Sequence, residues 1–191
     1  MDWFPKYNFI LASKSPRRSE LLQSIGIKFK VITKDVVEEY QDNLSKEEIP
    51  VFLAELKVQP FLAELESNDL IITADTIVWL KGKVLGKPKD KKEAIRMLHE
   101  LSGKQHQVIS GVCLTSKRKQ VSFHSISTVH FKKLTPIEIE YYVSQYKPFD
   151  KAGAYGIQEW IGSIGITHIE GSFYNVMGLP IQRLYEEIQK F

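Results

Sequence analysis

The sequence predicts an α/β protein folded as one interwoven unit, and three observations carry that reading. Short β-rich apolar runs alternate with segments that have helical caps and helical spacing along the whole chain. No internal repeat, low-complexity tract or linker interrupts them, so the 191 residues fit a single domain, 1–191, or two lobes sharing one core. Hydrophobic residues make up 43% and charged residues 26%, which suits a packed globular protein and is too apolar for disorder.

Asn8 to Ala12 reads as a short buried strand, and Ser15-Pro16 supplies an N-cap followed by proline at the first helical position. The helix that starts there carries Leu21, Leu22 and Ile25 on one side and stops at Gly26. Lys28 to Thr33 alternates basic and apolar residues, the pattern of a strand with one wet face. Val51 to Glu66 is helical in spacing, with a kink or break at Pro60, which lacks a backbone donor and pushes Gln59 from helical dihedrals.

Leu70 to Ala74 and Thr76 to Leu80 are β-rich runs, and Lys81-Gly82 turns into Lys83 to Leu85. Asp90 and Glu93 form a capping box ahead of a helix that runs to Leu101. Gln107 to Thr115 and Gln120 to Phe131 make a hairpin around Ser116 to Lys119, with Val121, Phe123, Val129 and Phe131 on one face. Thr135, Pro136 and Glu138 combine a cap, an N1 proline and a capping-box acid for a helix through Tyr146. Glycines at 153, 156, 162, 165, 171 and 178 then predict loop-rich ground before a last helix after Pro180.

The net charge of +3 is too weak to announce a nucleic-acid coat or an anionic membrane surface. The lone Cys113 excludes an intramolecular disulfide, reads as core, and fits a reducing compartment. Met1 to Lys6 places an acid and a proline where a secretory signal would carry a basic patch and an apolar run. The longest apolar stretch, Leu70 to Leu80, is interrupted by Thr73, Asp75 and Thr76 and is far short of a membrane span. The expectation is a soluble cytoplasmic protein without a nucleic-acid polymer or a membrane as partner. There is no Walker loop, GxGxxG, HExxH or CxxC, and the histidines at 99, 106, 124, 130 and 168 show no metal-ligand spacing.

Several segments carry groups that chemistry could use. Ser13-Lys14-Ser15-Pro16-Arg17-Arg18 places hydroxyls and cations where a strand gives way to a helix, which is an anion site with fork-shaped donors to phosphate. Its plainer reading is a Ser-Pro cap with solvated arginines. Asp75 sits inside an apolar run, where an unpaired charge is costly, so it needs a metal ion, a lysine or a water whose proton it takes, at a strand end. The alternative is a bulge or turn in which Asp75 caps backbone groups. Among the lysines at 81, 83, 87, 89, 91 and 92, most are surface charges, but Gly86 and Pro88 fix the path at Lys87 and can aim it at a phosphate. Glu38, beside Glu39, either helps to hold a divalent ion or is simply solvated, and Lys57 is open to the same plain reading. Phe149 to Gln158 is a glycine-bracketed loop that either contacts a base or allows a close backbone crossing.

Taken in series, Ser13 to Arg18, Ala74-Asp75-Thr76, Gly86-Lys87-Pro88, Leu101-Ser102-Gly103 and Asp150 to Gln158 resemble the Maf family of nucleoside triphosphate pyrophosphatases. The Pro-Arg-Arg start and the Gly-Ile-Gln loop resemble its dTTP/UTP branch rather than the branch acting on methylated GTP. The resemblance implies an elongated mixed sheet with flanking helices and a deep nucleotide-binding cleft, similar to inosine triphosphate pyrophosphatases, and a homodimer. It implies hydrolysis of dTTP and UTP to the monophosphate and pyrophosphate, with house-cleaning of modified pyrimidine nucleotides. It makes Asp75 the proton acceptor, sets Arg17, Thr76 and Gln158 at positions that govern base choice, and sets Ser13, Glu38, Lys57 and Lys87 around the triphosphate and metal. Mg²⁺ or Mn²⁺ would be held by Glu38 and Asp75, since carboxylate oxygens suit hard ions. Two departures from the family pattern stand out: Glu159-Trp160 follows Gln158 where glycine is usual, and Pro60 interrupts the helix of Lys57. The rival reading is a nucleotide-responsive binding protein acting in cell division or septum formation.

Overall fold

Seven strands form one mixed sheet in a computed structural model that describes residues 7–191. The opening segment, read above as lacking an export signal, lies outside the described residues. The strands are β1 (Asn8–Leu11), β2 (Phe29–Val31), β3 (Asp69–Leu80), β4 (Lys83–Leu85), β5 (Gln105–Thr115), β6 (Gln120–Phe131) and β7 (Ile166–Glu170). Their order is β2-β1-β3-β5-β6-β7, with β4 paired to β3. Both neighbours of β1 run parallel to it, while β4 and β7 are antiparallel to their partners.

By its internal packing the chain divides into two units. The first contains the residues up to Thr76, Ser110–Ser125 and Gly178–Phe191, and the second contains Ile77–Ile109 and Ile126–Met177. Among the described residues no helix is long and apolar enough to cross a membrane.

In the first unit, α1 (Pro16–Ser24) buries Leu21 and Leu22 as its spacing predicts. Helix α2 (Glu48–Val58) begins three residues earlier than its periodicity indicates, taking Pro50 into its first turn where no donor is missed. A 3₁₀ segment, Gln59–Glu64, then replaces the α-helix at the position where Pro60 removes the donor. The core of this unit joins Ile10, Ala12, Ala54, Val58, Phe61, Leu65, Ile71 and the buried Cys113.

Helix α2 lies hard against β5, because a Cβ built on Gly111 would sit 2.2 Å from the Pro50 carbonyl carbon and 2.3 Å from the Val51 nitrogen. Those are backbone atoms that cannot rotate away. Gly111→Ala should therefore cost roughly 1–3 kcal/mol through forced backbone displacement. Thermal unfolding checks this, and an unchanged Tm would mean that α2 can retreat from β5 freely.

The largest difference from the sequence reading is at Asp75. The two β-rich runs are one twelve-residue strand, and Asp75 lies inside it rather than at a strand end or turn. Its side chain is satisfied by a tertiary partner, which removes the reason for the backbone to break.

The second unit contains α3 (Lys91–Leu101) and α4 (Pro136–Tyr146), and both begin with the caps that the sequence specifies. Asp90 accepts from Glu93 N at 2.8 Å, although the Glu93 carboxylate takes the Lys89 N–H, one residue further back than a standard box. At Thr135 and Glu138 both reciprocal bonds form. The glycine-rich stretch holds more regular structure than expected: α5 (Trp160–Gly165), β7 and α6 (Phe173–Met177) precede the last helix, α7 (Ile181–Gln189), which belongs to the first unit. Strand β7 is stabilised by pairing with β6, a contact that its own five residues do not announce.

His106 is buried in the second unit, bonded through Nε2 to the Tyr155 hydroxyl at 2.7 Å and stacked on Phe131. Burial, with a smaller contribution from His130, lowers its pKa from 6.5 to about 3. Protonation would leave a buried Nδ1–H unpaired. Between those two values the unfolded chain binds a proton that the folded chain refuses, so stability falls as pH drops. This group contributes a slope of up to about 1.4 kcal/mol per pH unit. His106→Gln should flatten that slope below pH 6.5. Equal acid sensitivity in urea unfolding of both proteins would assign it to other groups.

Candidate active site

Of the residues singled out in the first unit, Ser13, Arg18, Glu38, Lys57, Asp75 and Thr76 gather around the middle of β3. Thr73 Oγ1 donates to the Ala54 carbonyl at 2.7 Å, which ties α2 to β3 inside the core. Two residues further along the strand is Asp75, on the same face, and three residues further along the helix is Lys57. Their meeting follows from that anchor. Lys57 Nζ lies 2.6 Å from Asp75 Oδ1 and 3.2 Å from Glu38 Oε1. The Lys57 and Asp75 side chains are 16% and 13% exposed, against 45% for Glu38, so the first pair is shielded from water and the third group is open to it. Pro60 does not disturb Lys57, because α2 stays helical through Val58.

Arg18 is held by carbonyl and hydroxyl oxygens of its own unit. Its Nε donates to the Gly178 carbonyl at 2.9 Å, Nη1 to the Ala74 carbonyl at 2.7 Å and Nη2 to Thr76 Oγ1 at 3.2 Å. A weaker bond joins Nη1 to Ser13 Oγ at 3.4 Å. The guanidinium is engaged on three sides and braces α1 against β3 and Gly178. Burial lowers its pKa, and the nearby Asp75 carboxylate opposes that effect.

Ser13 is buried and accepts the Ser15 N–H at 3.2 Å, so the hydroxyl that turns the chain into α1 is Ser13 rather than the expected Ser15. Arg17 is half-buried in the first turn of α1. Thr76 shares a hydrogen bond with Ser110 Oγ at 2.9 Å and donates to the Gly178 carbonyl at 3.3 Å. Ser110 and Gly178 were missed from the sequence. A signal existed for Ser110, a hydroxyl within the apolar run Val108 to Leu114, by the same logic that marked Asp75.

Lys87 and Gln158 belong to the second unit, and both are exposed. A backbone bond from Gly153 N to the Gly86 carbonyl, 3.0 Å long, ties the loop of Gln158 to the segment of Lys87. The close backbone crossing considered for this loop is therefore present, and it coexists with an outward-facing amide residue. The lysines at 81, 83, 89, 91 and 92 are exposed, as their density predicts.

Asp75 and Glu38 converge on one ammonium, so the same oxygens could face a hard cation. Among the described residues no group of three His, Cys, Asp or Glu side chains is arranged to hold a metal. Mg²⁺ is commonly bound by one or two carboxylates together with substrate phosphates and water, and the pair fits that mode.

Residues 8–191 match the Maf family, described as Maf-like protein. The "dTTP/UTP pyrophosphatase" of Phocaeicola vulgatus is 55% identical over 97% of this chain and 96% of its own length. That of Bacteroides thetaiotaomicron is 54% identical over the same shares of the two chains. Among solved structures, the Staphylococcus aureus Ham1 protein has a TM-score of 0.47 and 15% identity over 65% of this chain and 71% of its own. With the family match spanning all but the first seven residues, and more than half of the residues shared with full-length relatives, the chain belongs to the Maf family.

Proposed function

We propose that this protein is a nucleoside triphosphate pyrophosphatase that hydrolyses dTTP and UTP to the nucleoside monophosphate and pyrophosphate. The observation that carries the reading is the shielded Asp75 with Lys57 bonded to it and Glu38 on the ammonium's other side, in a chain whose relatives bear that activity in their names. Asp75 acts as the proton acceptor. A water oxygen adds to one phosphorus of the α–β anhydride, the P–O bond breaks, the two products separate, and the water's proton passes to the carboxylate. Lys57 and Lys87 supply positive charge to the phosphates, and Ser13 a hydroxyl donor.

Glu38 and Asp75 would hold Mg²⁺ or Mn²⁺ with the triphosphate, where such an ion would neutralise phosphate charge. Arg17, Thr76 and Gln158 govern base choice. Thr76 does so from a position fixed by Arg18, Ser110 and Gly178. The reading includes modified pyrimidine nucleotides as further substrates, a homodimer, and action in the cytoplasm, where the free, buried Cys113 is at home. Pyrophosphate release from a panel of purine and pyrimidine triphosphates, with each metal, tests it. Turnover of dTTP and UTP above the purine nucleotides is expected. Nucleotide binding without turnover would favour the binding-protein alternative instead.

A further inference from the structure

The loop that carries Gln158 is held from inside the second unit by an array that the proposed chemistry does not use. Lys151, only 9% exposed, places Nζ 2.7 Å from Asp150 Oδ1 and 3.1 Å from Glu159 Oε1. The Tyr142 side chain is fully buried. Its hydroxyl donates to Glu159 Oε2 and accepts the Gly156 N–H at 3.0 Å. Glu159 N donates in turn to the Gly156 carbonyl at 3.1 Å.

The approach is close enough that a Cβ on Gly156 would lie 2.8 Å from Glu159 Cδ. Just upstream, Ala154 is buried with φ +59°, a conformation that a side chain tolerates only where its surroundings fix it. Gly156 and Glu159 are thus both pinned, and Gln158 lies in the short span between them with its side chain outward. Burial, reinforced by Glu159, pushes the Tyr142 hydroxyl pKa up, so it remains a donor.

We propose that Glu159, braced by Tyr142 and Lys151, is a positioning residue that fixes the direction in which Gln158 presents its amide, and so sets discrimination among pyrimidine nucleoside triphosphates. The proposal rests on the base-reading role given to Gln158 above. It also explains how a chain with glutamate after Gln158 keeps an ordered loop: the carboxylate is bonded on both oxygens instead of being solvated.

A mutant cycle tests it, with kcat/KM measured on UTP, dTTP and CTP. Tyr142→Phe keeps the core ring and removes one oxygen. It should shift the UTP-to-CTP ratio at least about threefold, toward the value for Gln158→Ala, as expected for coupled neighbours. The double variant should shift no further than Gln158→Ala alone. Glu159→Gln keeps an acceptor for the Tyr142 hydroxyl and should stay near the wild-type ratio, whereas Glu159→Ala should match Tyr142→Phe. Glu159→Ala decides the matter if Tyr142→Phe does not fold.

A wild-type ratio in both Tyr142→Phe and Glu159→Ala, or effects that multiply in the double variant, would overturn the positioning role. Should the wild type release no pyrophosphate from any nucleotide, the pyrophosphatase reading fails by itself. The same cycle scored on Kd for UTP and CTP then decides the positioning role independently, and absence of pyrimidine nucleotide binding overturns it as well.

Discussion

Asp75→Asn should lower kcat by about 10²-fold or more, the usual scale for a positioned general base. Asparagine keeps the size and one carbonyl oxygen, so it can still accept from Lys57 Nζ, but it cannot take a proton from water. The fold should survive, because Asp75 bonds to Lys57 rather than to the backbone and its strand continues unbroken on both sides. Loss of one charge-assisted bond should lower Tm by roughly 2–6 °C. Thermal unfolding and steady-state pyrophosphate release are to be measured on one preparation, with nucleotide affinity determined with and without Mg²⁺. Full turnover in the asparagine variant would refute the proton-acceptor role and reopen the binding-protein reading.

Lys57→Met should move two observables in opposite directions. Methionine retains much of the side chain's length while removing the ammonium that lies 2.6 Å from Asp75 and 3.2 Å from Glu38. Loss of the cation proposed to face the phosphates should reduce kcat/KM by about 10²-fold, comparable to removing one preorganised donor. The two carboxylates would then face each other without their shared counter-charge. Mn²⁺ should bind the nucleotide-free variant at least about tenfold more tightly, because a unit charge at this range is worth more than 1.4 kcal/mol even in a well-screened site. Calorimetric titration of Mn²⁺ into both proteins reads that shift. Unchanged or weaker Mn²⁺ binding would remove Glu38 and Asp75 as the metal pair, while leaving the phosphate role of Lys57 to the kinetics.

These two residues also show where sequence reasoning reaches its limit. Asp75 was legible because a carboxylate in an apolar run is anomalous over only a few residues, and desolvation makes that anomaly costly. Lys57 was not legible by itself. It sits on an ordinary helix, and its significance comes from a carboxylate 18 positions away, which Thr73 brings into reach by anchoring α2 to β3. Arg18 was read from its neighbours as a phosphate fork, and beyond nearby Ser13 its acceptors are 56, 58 and 160 residues distant in the chain. No local spacing could have pointed to them.

The sequence by itself determined the features governed by interactions within a few residues: the caps at Asp90 and Thr135, the 3₁₀ break at Pro60, the β5–β6 hairpin and the mixed α/β character. Only the tertiary structure decided that β3 runs unbroken through Asp75, that the glycine-rich stretch yields β7, and that Glu159 is a brace and not a solvated substitute for glycine. The reason is physical. A cap or a turn is closed by groups three or four residues apart, whereas a buried charge is stabilised by whichever partner the fold brings to it, and that partner leaves no mark in the neighbouring sequence.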